Sequence, residues 1–247
     1  MNFFNKKSFF HILLGNFNLC FFVSLVILSL LPNPEIFMHK YPAQKWFLYL
    51  VIPAINGMLT TLISLGLNRY FARKNYTRRY YTQDTNSLIQ VSFLAGFSSL
   101  YLSFSNLGTL LISLSIIYIA FLSVRSFASR ITALLEPDKM ASAEDLAEFA
   151  NFFINLIITF TVVNLSINML HTSFSTSQAF NFDPGIKGIF DALYFSVITM
   201  TTVGYGHIIP STVIARIAVS FECLTSYIML GIMIGIIGRG INFGKNN

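Results

Sequence analysis

Apolar residues fall in long blocks separated by short polar stretches. A helix needs roughly 20 mostly apolar residues to cross a bilayer core. The blocks predict six such spans, at 10–31, 46–67, 87–104, 107–124, 149–170 and 212–238. The first stops at Pro32 and Pro34, and the second contains Pro53 and Gly57. Only a few residues around Ser105 and Asn106 join the third and fourth, which predicts an antiparallel helical hairpin. Lys6 and Lys7 precede the first span as in a signal peptide. Its apolar stretch is too long for one and lacks a small-residue cleavage site, so it is read as a retained helix.

Lys and Arg orient the spans. With the N-terminus inside, only Lys40, Lys45, Lys187 and Arg216 fall outside, leaving 12 of the 16 basic residues inside. That asymmetry predicts a multi-pass plasma-membrane protein with both termini cytoplasmic. The dense cluster at 69–79 decides most of it and also suits lipid headgroups.

The stretch 125–149 differs in kind, because Glu136, Asp138, Glu144, Asp145 and Glu148 are half of the 10 acidic residues. Pro137 breaks it, and Ser142 followed by Asp145 resembles a capping box. The fifth helix is therefore expected to start near Ala143, in the cytosol. The chain divides into a four-helix membrane module at 1–135, a cytosolic amphipathic linker at 136–148 and a second membrane module at 149–247.

Composition agrees. Charged residues are only 11% of the chain, against about a quarter in a soluble domain. Too few charges remain to coat a globule, which argues against a soluble enzyme or a nucleic-acid binder despite the net charge of +6. Cys20 and Cys223 sit inside apolar runs and read as buried small hydrophobes. His11, His39, His171 and His207 are scattered, with no nucleophile–base pair or metal spacing, so no enzyme and no cofactor is expected.

Between the fifth and sixth spans the chain turns apolar again at 188–200, too short to cross a bilayer but suited to a re-entrant helix. Thr201, Thr202, Val203, Gly204, Tyr205, Gly206 and His207 follow. Irregular backbone at membrane depth is tolerated only when shielded by protein or lining a watery path. Glycine enters positive φ at little cost. Alternating Gly204 and Gly206 with other residues lets successive carbonyls point one way, and stacked carbonyls can replace the water shell of a potassium ion.

Thr202-Val203-Gly204-Tyr205-Gly206 matches the selectivity signature of potassium channels, and 192–216 resembles their bacterial pore domain throughout. The resemblance covers roughly 143–240; the first four helices match six-helix members only by count. It implies an all-α membrane protein with six transmembrane helices, a re-entrant pore helix and filter between the fifth and sixth, and a tetrameric pore. K+ would bind at carbonyls of Thr202, Val203, Gly204 and Tyr205, with itself and membrane lipids as partners. The sixth helix would line the cavity, and the fifth would face lipid and the neighbouring module.

The chain departs from that pattern in several places. His207 replaces the usual Asp after the filter, putting an imidazole, which ordinarily titrates between pH 5 and 8, at the outer mouth. Ile198 stands where the best-known bacterial members have Glu. Tyr194 and Phe195 replace an aromatic pair containing Trp, which predicts a looser hold on Tyr205. Glu222 is the only acid in the sixth span, and is expected behind the filter near Ser196 or Thr199. Ser226 replaces a frequent hinge glycine, and Gly231 and Gly235 read as helix-packing sites or a displaced hinge. Thr201 completes the set of filter-support candidates.

The fourth span lacks the regular Arg or Lys of a voltage sensor, so weak voltage dependence is expected. Only a few residues follow Arg239, so no appended nucleotide- or calcium-binding domain is expected. Two alternatives stand beside a potassium channel: a non-conducting modulatory subunit and a pore-loop potassium transporter component.

Overall fold

The computed structural model describes residues 6–30, 45–73, 85–99, 106–134, 141–175, 177–238 and 241–242. Among them are seven helices: α1 (Lys6–Leu30), α2 (Lys45–Arg73), α3 (Thr85–Ser99), α4 (Asn106–Leu134), α5 (Ala143–Phe174), α6 (Ile186–Met200) and α7 (Val213–Gly238). A parallel pair of two-residue strands, β1 (Ala141–Ser142) and β2 (Ile241–Asn242), joins the residues before α5 to those after α7. The expected turns at Pro32 and Pro34, the hairpin loop at Ser105 and the acids Glu136 and Asp138 lie outside the described residues.

Helix α5 starts at Ala143, where Ser142 and the following acids predict it. Among the described residues, three helical stretches are long and apolar enough to cross a membrane: Leu50–Tyr70, Phe149–Phe174 and Val213–Gly238. The apolar stretches of α1 and α4, Asn16–Ser29 and Leu107–Leu122, are shorter. At 1.5 Å per residue the 15 residues of α3 reach about 22 Å, less than a 30 Å hydrocarbon core. Helix α2 continues past Pro53 without interruption. Helix α4 continues ten residues past Val124 to Leu134, so Arg125 and Arg130 belong to a helix, not to a loop.

The expected hairpin of the third and fourth spans is not the packing unit. Helix α3 packs chiefly on α2 and α1, while α4 packs chiefly on α5 and α1. A short connection limits how far two helix ends separate, but the faces decide the partners. In α3 the small face of Ser92, Ala95, Gly96 and Ser99 is buried, and it lets α2 approach to backbone contact. A Cβ on Gly96 would lie 2.8 Å from the Gly57 Cα.

Helix α1 is central, touching α2, α3, α4, α5 and α6. One hydrophobic core therefore runs through both halves of the chain, from Phe17 and Phe21 through Val91 and Ile116 to Val162, Phe180 and Phe195. Several buried polar side chains inside it use internal partners for their donors, although the Oδ1 atoms of Asn18 and Asn56 have none among the described residues. Asn56 Nδ2 bonds Ser24 Oγ at 2.7 Å and the Gly96 carbonyl at 2.8 Å. Cys20, a free thiol, lies among Ser64 and Ser92. Asn18 Nδ2 donates to Thr159 Oγ1 at 3.0 Å, tying α1 to α5. A second cluster of Phe149, Leu156, Met200, Met229, Ile232 and Ile236 joins α5, the end of α6 and α7.

Helix α5 is more enclosed than a lipid-facing helix, with half of its most apolar stretch buried; for α7 the share is 22%.

Candidate functional site

The short helix α6 ends at Met200, and its last four carbonyls have no partner inside the helix. Each is taken up by the segment that follows or by α7. The Val197 carbonyl accepts from the Thr201 N–H at 2.9 Å and from Thr201 Oγ1 at 2.7 Å. The Ile198 carbonyl accepts from the N–H groups of Val203 and Gly204 at 2.8 and 3.2 Å. The Thr199 carbonyl accepts from Thr202 N–H at 3.1 Å, and the Met200 carbonyl accepts from Ser226 Oγ on α7. Segment 201–204 is thus folded directly onto the helix end. Ile198, with a buried apolar side chain, acts there through its carbonyl.

Thr202, Gly204 and Gly206 all have positive φ, at 62°, 54° and 81°. Left-handed residues therefore alternate with Val203 and Tyr205. The two glycines allow this freely. Thr202 is β-branched and adopts the same conformation at a cost. All of 201–207 is exposed in the single chain, with Tyr205 at 71%.

Behind this segment lies a buried polar cluster. Glu222 of α7, Ser196 of α6 and Asn164 of α5 are all fully buried. Asn164 Nδ2 lies 3.0 Å from Glu222 Oε2 and 3.2 Å from Ser196 Oγ. Glu222 is thus brought together with Ser196, one of the two partners expected for it, and Asn164 bonds both. Sequence reasoning missed Asn164, whose signal was a lone amide in the middle of an apolar span.

Comparison with known proteins agrees with this architecture. A family model described as an ion channel matches residues 152–242. The voltage-gated potassium channel of Aeropyrum pernix is 41% identical over 54 residues, 22% of this chain and 18% of that protein. The hyperpolarization-activated voltage-gated potassium channel of Methanocaldococcus jannaschii is 45% identical over 42 residues, 17% of this chain and 20% of that protein. Over these residues the chain is similar to ion channels, and in shorter stretches to potassium channels. Its matches span at most a fifth of the length of these two relatives. No solved structure matches it.

Where the chain departs from the potassium-channel pattern, other contacts occupy the space. Phe195 is buried, its ring set edge-on to Phe180 at 5.4 Å and to Phe182 at 6.4 Å. It anchors the loop between α5 and α6. The Tyr194 ring lies parallel to that of Tyr205 at 6.4 Å and 5.1 Å from the His207 ring. Tyr205 therefore has an aromatic neighbour in its own chain, although Phe195 offers it no hydrogen bond. Ser226 is buried and bonded to Met200. A Cβ added at Gly231 or Gly235 would meet no atom within 4 Å among the described residues.

Proposed function

We propose that four copies of this chain form a potassium-selective channel in a cell membrane, conducting K+ passively. The carbonyls of Thr202, Val203, Gly204 and Tyr205 from each copy would line one axis and replace the ion's hydration shell. The observation that carries this reading is the left-handed backbone at 202, 204 and 206, on an exposed segment folded onto the end of a short helix. A single chain supplies one wall of such a path and leaves it open.

The uncovered face of α7 supports the assembly. Val213, Ile217, Phe221, Leu224, Ile228 and Ile234, spread along α7, are each more than half exposed in the single chain. Some of that apolar surface would meet neighbouring copies and some would line the cavity. Residues 149–247 act as the pore domain in this reading. Residues 1–135 act as a packed scaffold with a degenerate sensor, since α4 carries its basic residues only at Arg125 and Arg130.

Two measurements test the reading. Native mass spectrometry is expected to give a complex of about four times 27.8 kDa. Liposomes holding the purified protein are expected to release K+ and retain Na+. A monomer or dimer, or equal release of both ions, would contradict the proposal.

A further inference from the structure

Outside the filter, the side chain with the most direct hold on the backbone leaving it belongs to Asn181, an exposed residue of the loop between α5 and α6. Its Nδ2 donates to the His207 carbonyl at 2.8 Å, and its Oδ1 accepts from the Ile209 N–H at 2.8 Å. One amide thus brackets the peptide groups on both sides of Ile208. The bracket continues a short antiparallel contact, in which Phe180 faces Pro210 and the Ser211 N–H donates to the Ala179 carbonyl at 2.9 Å. Pro210 has no N–H to give, so the Asn181 side chain supplies bonds that a regular ladder would take from backbone.

Asn181 is itself held from two sides. Phe180 and Phe182, its neighbours in sequence, are both buried, and their rings stack at 4.9 Å against Phe195 of α6. Side chains alternate sides in extended chain, so anchoring both neighbours turns Asn181 to the opposite face. One step earlier, Asn168 near the outer end of α5 accepts from the N–H groups of both Ala179 and Phe180 at 3.0 Å. The contacts form a relay: Asn168 fixes 179–180, the aromatic pair fixes 181, and Asn181 fixes the carbonyl next to Gly206.

We infer that Asn181 is a positioning residue for the outer end of the filter, holding the His207–Ile208 peptide, the second after Gly206, through the His207 carbonyl, with Asn168 as its support. This rests on the potassium-filter reading above. The chain has His207 where potassium channels usually carry Asp and Ile198 where the best-known bacterial ones carry Glu, and the bracket fixes the outer filter from the loop side.

The test is K+-dependent thermal stability of the purified full-length protein, with KCl titrated at constant ionic strength against NaCl. Wild type is expected to be stabilised by K+ and not by Na+. Asn181→Ala is expected to raise the K+ concentration for half-maximal stabilisation about fivefold or more, as loss of a hydrogen bond that steadies the backbone next to the ligand carbonyls would. Its melting temperature in NaCl alone should change little, since the residue is exposed. Asn181→Asp keeps the acceptor for Ile209 but loses the donor to His207, and should match Asn181→Ala. Asn168→Ala should shift the midpoint the same way by less, and the double variant should fall short of the sum. A wild-type midpoint in Asn181→Ala, or equal loss of stability in both salts, would overturn the inference and leave the filter reading standing. A wild-type midpoint in Asn181→Asp would overturn the role given to the His207 carbonyl. No K+ dependence in wild type would overturn the filter reading and this inference with it.

Discussion

Ser226 Oγ, on α7, donates a hydrogen bond to the Met200 carbonyl, the last of α6. This contact fixes the inner end of the filter segment to the helix expected to line the cavity. Replacing Ser226 by Ala leaves a buried carbonyl without its donor, at a cost of about 1–3 kcal/mol. Ser226→Ala is expected to melt at lower temperature than wild type in detergent, and Ser226→Thr, which keeps the hydroxyl, to recover most of the loss. Equal melting of Ala and wild type would mean that the contact contributes nothing.

The cluster of Asn164, Ser196 and Glu222 ties three helices together behind the filter. Asn164→Leu keeps the approximate size but removes the shared donor. It is expected to destabilise the protein by about 1–3 kcal/mol and to alter open probability in single-channel records. Glu222→Gln still offers Asn164 an acceptor and is expected to be milder. The reverse order would show that the charge of Glu222, not its link to Asn164, matters.

Thr202 has φ 62°, in a region that costs a β-branched residue about 1–2 kcal/mol. Thr202→Gly should relieve that strain. The expected outcome is a protein at least as stable to heat as wild type but with weaker preference for K+ over Na+, because the hydroxyl at the inner end is gone. Lower stability would mean that the Thr202 side chain holds the backbone rather than being strained by it.

His207 is exposed beside Tyr194, directly after residues 201–206. A fixed positive charge at this position would repel incoming cations at four copies of the side chain at once. Conductance of His207→Lys is expected to fall below that of wild type, and that of His207→Asn to stay near it. Equal conductance in all three would exclude position 207 from the cation path.

Local pattern made part of this fold legible. The capping residues before Ala143 marked the start of α5, and the short apolar run before Thr201 marked α6. Gly204 and Gly206 announced unusual backbone because glycine is the residue that enters it freely. Thr202 gave no such signal, since β-branched residues disfavour positive φ. Neither did Asn164, Asn168 and Asn181, whose partners lie far away in sequence, up to 58 residues for Asn164 and Glu222. A hydropathy reading treats each as a blemish in an apolar run or a polar loop residue. The α3–α4 hairpin failed for a related reason. Loop length is local, whereas the fit between Gly96 and Gly57 depends on two faces 39 residues apart.

The most direct test of the account is the reversal potential of purified protein in planar bilayers, with K+ on one side and Na+ on the other. The account predicts a potential close to the K+ equilibrium value. In Gly204→Ala, where a Cβ is forced onto a residue with φ 54°, it predicts loss of that selective current. A reversal potential near zero in wild type, with current carried equally by Na+, would contradict it.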